Sequence, residues 1–305
     1  MLASSQSDHT AGVNIAGLSI RLHAEDPDLR LGMDETMNLF RTSVLIPDID
    51  LSVSWGIPAL APHAIARFDS GATWKLFTTD QQYIFQFQTP FFGRLPYKEA
   101  RVSADFSRGE IYLRPEAFPG RPVDPFEYPL DELLMVHLLA RGLGIELHGC
   151  GLIADGEGIL FLGHSGAGKS TIGELWQQTG QARILSDDRI IIRQLEGRLW
   201  MYGTPWHGEK RYSLNERAPL TQIYFLRHGP AHQLVELPPA QRVAMMVARS
   251  FLPLHSTAGV QFSLDLCQEL VRSIPCQELY FRPEASVISF LKKHRLEPQT
   301  CSFVS

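Results

Sequence analysis

Residues 163–171 read GHSGAGKST, a complete G-x-x-x-x-G-K-[ST] pattern. Glycines in such a loop let successive backbone N–H groups turn inward around phosphate oxygens, and a following helix adds the positive end of its dipole. On this reading Gly163, His164, Ser165, Gly166, Ala167 and Gly168 form the cradle. Lys169 reaches the β- and γ-phosphates, Ser170 places its hydroxyl on Mg²⁺, and Thr171 completes the pattern. His164, at an unconstrained position, is expected to face solvent. A short apolar run, Ile159 to Leu162, precedes the loop, and a helical pattern (Ile172, Leu175, Trp176) follows it. With only six lysines in the chain, a chance match in this context is rare, and ATP with Mg²⁺ is the expected cofactor set.

A phosphate loop alone does not choose a reaction. The next acidic residues, Asp187 and Asp188, follow Lys169 by only 18 and 19 positions. Their apolar lead-in is just Ile184 and Leu185, and Ile190–Leu195, Glu196-Gly197 and Arg198–Tyr202 read as a strand, a tight turn and a second strand. The acid pair is thus expected at the start of an antiparallel hairpin, where common P-loop NTPases carry their acid at the end of a parallel strand. No N-K-x-D guanine signature and no ABC-type signature is present. Two carboxylates near Mg²⁺ and a γ-phosphate can divide labour, one supporting the metal and the other accepting the hydroxyl proton. A hairpin cap is the simpler alternative. His148, between Leu147 and Gly149, can orient the acid pair or meet a phosphate, or be a buried ring satisfied by backbone. His207 lies in a Gly/Pro/Trp loop with either a functional or a structural role, and Lys210 and Arg211 either face phosphate or are solvated.

Three stretches, LHGCGLIADGEGILFLGHSGAGKST, the LSDD pair and YGTPWHGE at 202–209, resemble the HPr serine kinase/phosphorylase superfamily. The resemblance is nearest to HPr-kinase-related proteins found beside peptide-modification genes and spans roughly residues 128–292. It implies an α/β fold (α+β mixed sheet), with the phosphate loop in a kinase core related to phosphoenolpyruvate carboxykinase. It also implies ATP-dependent phosphorylation of a serine hydroxyl. Carried over residue by residue, Lys169 and Ser170 match the phosphate and metal residues. Asp187 and Asp188 match the acids that activate the hydroxyl and support the metal, and His148 matches the histidine before the loop. The E-x-R-G-x-G stretch of the bifunctional enzymes is replaced by GTPWHGE, residues 203–209. HPr as substrate and the phosphorylase half-reaction therefore do not follow, and Glu209 is carried as a further metal acid beside Ser170 and Asp188.

These groups need elements to hold them. Residues 1–12 are small and polar and read as a disordered tail, and 13–114 as a smaller β-rich part with short runs at 18–22, 51–55, 64–68, 74–77 and 83–87. Residues 102–106 and 110–113 suggest a hairpin about Arg108-Gly109. Five prolines between 115 and 129 mark a linker, and 130–305 forms the kinase-like domain. That domain opens with a helix entered at Pro129 and ended by Gly142 and Gly144, followed by a strand over 145–153. Residues 222–227 and 233–237 read as a second hairpin, and helices are expected at about 238–252, 258–274 and 284–294 with a strand near 278–281. The apolar stripes of these helices read as core or as contacts in a homo-oligomer.

The composition narrows the classes. At 305 residues, 44% hydrophobic and with net charge −5, the chain is long enough for a substantial core and offers no general attraction to nucleic acid or an anionic membrane. Four cysteines, at 150, 267, 276 and 301, make neither a disulfide framework nor a zinc pattern. With no signal-like start and no long apolar stretch, a cytoplasmic protein is expected. The leading expectation is a serine kinase acting on a peptide or protein. A small-molecule kinase and a nucleotide-binding regulatory or scaffold protein are the alternatives.

Overall fold

A computed structural model describes residues 8–93, 95–120 and 122–294. Two compact units divide the chain, Met1–Leu134 and Met135–Ser305. The division falls within the helix Leu130–Leu139, just past the proline-rich stretch.

The first unit holds β1 (Thr10–Ile15), β2 (Leu18–Ala24), the short helix α1 (Glu35–Asn38), β3 (Ile49–Trp55), β4 (Ile65–Asp69), β5 (Trp74–Thr78), β6 (Gln82–Phe87), β7 (Lys98–Ser103) and β8 (Arg108–Leu113). They form one mixed sheet in the order β1-β2-β3-β8-β7-β6-β5-β4. Alternating burial along β2 and β3 reflects one covered face, whereas all of β4 is exposed at the sheet edge. Of the tail expected at 1–12, residues 1–7 lie outside the described residues, but Thr10–Gly12 belong to β1. There the antiparallel ladder to β2 overrides the weak local preference of small and polar residues. The β7–β8 hairpin also differs from expectation: Arg108-Gly109 starts β8, and the chain reverses before it, where Phe106 adopts φ 58°.

The second unit begins within α2 (Leu130–Leu139), whose first turn carries Asp131 and Glu132 and which is followed by Gly142 at φ 99°. Its elements are β9 (Ile145–Ala154), β10 (Glu157–Leu162), α3 (Lys169–Gln178), β11 (Ala182–Ser186), β12 (Arg189–Leu195), β13 (Arg198–Tyr202), β14 (Arg217–His228), β15 (Gln233–Glu236), α4 (Pro239–Val247), β16 (Ser250–Phe251), α5 (Thr257–Ser273), β17 (Cys276–Phe281) and α6 (Ser286–Lys293). Asp155-Gly156 and Glu196-Gly197 both adopt positive φ, the backbone that two-residue hairpin turns require.

The sheet runs β10-β9-β12-β13-β14-β17-β15, with β10 also paired to β14, and with β11 and β16 on β9. Both faces are covered. Leu160, Leu162, Ile223 and Phe225 pack in one cluster with Met246 of α4 and Leu266 and Leu270 of α5. Ile159, Phe161, Tyr224 and Leu226 pack on the other side with Ile172 and Trp176 of α3 and Val287 and Leu291 of α6. This is why β10 and β14 read as apolar runs without alternation. The architecture is a mixed α+β one. The hairpin expected from 222–227 and 233–237 does not form: β17 lies between β14 and β15, parallel to the former and antiparallel to the latter. Periodicity shows which faces are buried but not which strand is the neighbour, and here α5 delivers β17 into the gap. Among the described residues no helix is long and apolar enough to cross a membrane, and Cys150, Cys267 and Cys276 are buried free thiols.

Candidate functional site

Strand β9 assembles the site. On one edge its Gly149 lies opposite Leu162, the last residue of β10 before the glycine loop. On the other edge the Gly149 N–H donates to the Asp188 carbonyl at 3.0 Å, and His148 lies opposite Arg189. Strands β11 and β12 both run antiparallel to β9, so they form one line interrupted after Ser186. Asp187 and Asp188 occupy that interruption, and β12 then enters its hairpin with β13. One position on β9 therefore brings together the start of the glycine loop, after Leu162, and the acid pair, which lie apart in sequence.

The loop closes on itself. Ala167 N–H donates to the His164 carbonyl at 3.1 Å, and Gly166 and Gly168 stand at φ 78° and 95°. At Gly168 a side chain is excluded twice, by that φ and because a Cβ would come within 2.7 Å of the Phe281 ring. Helix α3 starts at the next residue, so Lys169 and Ser170 occupy its first turn. Lys169 is buried, and its Nζ donates to the carbonyls of Gly163 at 3.0 Å and His164 at 3.2 Å. Burial pulls its pKa below the ordinary lysine value, opposed by the negative charge of Asp188. His164 is exposed, as expected, with Nδ1 2.6 Å from the Ser165 carbonyl.

The two aspartates have different surroundings. Asp188 Oδ1 lies 2.9 Å from His148 Nδ1, and its Oδ2 accepts from Arg189 Nη1 at 2.6 Å. Burial opposes its charge, but His148, Arg189 and Lys169 outweigh that cost and hold its carboxyl below the usual range. Asp187 is almost fully buried, and its oxygens accept the backbone N–H groups of Gly208 at 2.8 Å and Lys210 at 3.3 Å. It anchors the segment that carries Glu209. Ser186 supports the same segment by donating to the Trp206 carbonyl at 2.8 Å, and Lys210 ion-pairs with Glu174 of α3. His207 Nδ1 lies 2.9 Å from the Gly208 carbonyl. Glu209 is exposed, and among the described residues no hydrogen bond or ion pair joins it to Ser170 or Asp188. Nor do any three His, Cys, Asp or Glu side chains among the described residues converge as a metal cluster.

Several neighbours were not singled out from sequence. Arg189 joins Asp188 to Glu146, 3.4 Å from its Nε, and its guanidinium lies 4.2 Å from the centre of the Phe251 ring. Its position directly after the acid pair was the available signal. His228, at the end of β14, has Nε2 2.8 Å from the Gly166 carbonyl and stacks on Phe281. Arg249 meets His148 through its carbonyl, which accepts the His148 N–H at 2.7 Å. Neither residue belongs to any local motif.

No family model matches this chain, and no curated protein does. Among solved structures it is similar to the Hpr(Ser) kinase/phosphatase from Coxiella burnetii, at 12% identity over 49% of this chain and 95% of that one, with a TM-score of 0.29.

Proposed function

We propose that this protein is an ATP- and Mg²⁺-dependent kinase that phosphorylates a serine hydroxyl of a peptide or protein. The observation that carries the reading is the placement of the Asp188–His148 pair at one edge of β9, across Gly149 from the start of the glycine loop. The loop suits a polyphosphate: Gly166 has nothing within 4 Å of where a Cβ would stand, which leaves the cradle open. The Lys169 ammonium spends two donors on loop carbonyls and retains a third. In this reading ATP supplies the phosphoryl group and Mg²⁺ neutralises charge on the polyphosphate.

The chain's own groups take distinct roles. The loop N–H groups, Lys169 and the first turn of α3 bind and orient phosphate. Ser170 and Asp188 would hold Mg²⁺, with Glu209 as a further acid on the segment that Asp187 anchors. Asp188 accepts the proton of the serine hydroxyl as its oxygen bonds to the γ-phosphorus of ATP and the bond from that phosphorus to the β–γ bridging oxygen breaks, releasing ADP, while His148 and Arg189 keep the carboxylate ionised and oriented. Catalysis then rests mostly on positioning and charge neutralisation, as is general for phosphoryl transfer. A peptide is the preferred acceptor. Transfer from γ-labelled ATP to serine peptides, free serine and HPr tests the proposal: label on a serine peptide is expected, and label on none of them overturns it.

A further inference from the structure

Strands β10, β14 and β17 run parallel in the second sheet and end on the same side of it. The glycine loop leaves the first of them, and the last residues of the other two, His228 and Phe281, pair in register beside it. Each touches the loop at a different glycine. The Phe281 ring lies so close to Gly168 that a Cβ there would come within 2.7 Å of it, and His228 Nε2 lies 2.8 Å from the Gly166 carbonyl. Stacking on Phe281, with ring centres 6.0 Å apart and planes 23° from parallel, sets the imidazole for that contact. His228 is exposed, so core packing does not call for a histidine at this position.

A carbonyl oxygen only accepts, so the contact requires the proton on Nε2. In the same peptide unit the Ala167 N–H donates across the loop to the His164 carbonyl at 3.1 Å. The C=O and N–H of a trans peptide point in opposite directions, and here both ends are held. Gly166, at φ 78° and with nothing within 4 Å of where a Cβ would stand, is the residue about which this peptide can turn over. Turned over, it would aim its carbonyl oxygen at the His164 carbonyl, inside a cradle that must present N–H groups to an anion.

We infer that His228 is a positioning residue for the glycine loop, a latch that holds the Gly166–Ala167 peptide with its carbonyl outward on the imidazole and its N–H inward. The inference rests on the reading of this loop as a phosphate cradle. His228 touches no phosphate itself; it acts through the backbone of Gly166, and Phe281 fixes the ring that does so.

Two measurements on the full chain test it: calorimetry of inorganic tripolyphosphate, and hydrogen exchange at the Ala167 amide of the unliganded protein. His228→Phe keeps a ring on Phe281 and removes the donor, whereas His228→Gln keeps a donor without the ring. His228→Phe is expected to weaken tripolyphosphate binding about three- to tenfold, the worth of one hydrogen bond, and to speed exchange at Ala167 by a similar factor. His228→Gln should bring both back to within about twofold of wild type, which a ring needed only for packing would not allow. A His228→Phe variant equal to wild type in both measurements, or a His228→Gln variant as impaired as His228→Phe, would overturn the latch. Absence of tripolyphosphate binding in the wild type would remove the kinase reading alone, and exchange at Ala167 in the two variants would then decide for or against the latch.

Discussion

His148 Nδ1 stands 2.9 Å from Asp188 Oδ1, across the edge of β9 from the start of the glycine loop. Asp188→Asn should lower transfer by at least about 10²-fold, the low end of general-base contributions, and, because Asp188 is also read as a metal ligand, weaken Mg²⁺-dependent ATP affinity. Calorimetry and a transfer assay on the same preparation measure the two effects. Wild-type transfer in this variant would remove Asp188 from the chemistry.

His148 acts on that carboxylate, and a pH profile can show it. Asp188 is held below the usual carboxyl range partly by its bond to His148. Removing the ring in His148→Ala therefore raises the Asp188 pKa, so activity is lost sooner as pH falls. The acid limb of kcat should move to higher pH, whereas a purely structural role for His148 would lower kcat at every pH equally.

Lys169 is buried against two loop carbonyls. Lys169→Ala should abolish transfer with a modest loss of apo stability, about 1 kcal/mol for the hydrogen bonds removed. For the wild type, ATP and Mg²⁺ at a hundredfold excess over Kd should add about 2.7 kcal/mol of stability, and the variant should lose most of that gain. A wild-type melting temperature unmoved by millimolar ATP would exclude nucleotide binding.

Gly208 lies against the Asp187 carboxylate, where a Cβ would come within 2.7 Å of Oδ2. Gly208→Ala and Asp187→Asn should therefore have one effect, release of residues 206–210, at about 1–3 kcal/mol each. The double variant should be less than additive because both changes break the same contact. Hydrogen exchange over that segment and urea unfolding measure both effects. Full additivity would separate the two residues.

Burial pushes the Asp124 carboxyl of the first unit up to about 6, against the Phe126 N–H and Lys98, which lower it. A raised carboxyl favours folding fully below the unfolded value, near 4, and loses that advantage as pH rises through about 6. From pH 4 to 7 this group should withdraw up to about 3 kcal/mol, and Asp124→Asn should abolish that part of the slope. Urea titrations at pH 4.5 and 7.5 give the comparison.

Residue types and spacing alone marked the glycine loop, because each of its positions answers a local backbone or phosphate requirement. The Glu196-Gly197 turn was readable for the same reason, since its positive φ is a property of the turn itself. The β12–β13 hairpin followed from that turn chemistry. Tertiary structure decided what depends on a distant partner: that Thr10–Gly12 join a sheet, that β17 separates β14 from β15, and that Gly149 touches both the loop strand and the acid pair. It also divided Asp187 from Asp188. In the bend between β11 and β12, one carboxylate turns to the backbone of Gly208 and the other to His148 and Arg189. Two identical adjacent letters carry no mark of which side each will face, because that is set by what the fold packs there.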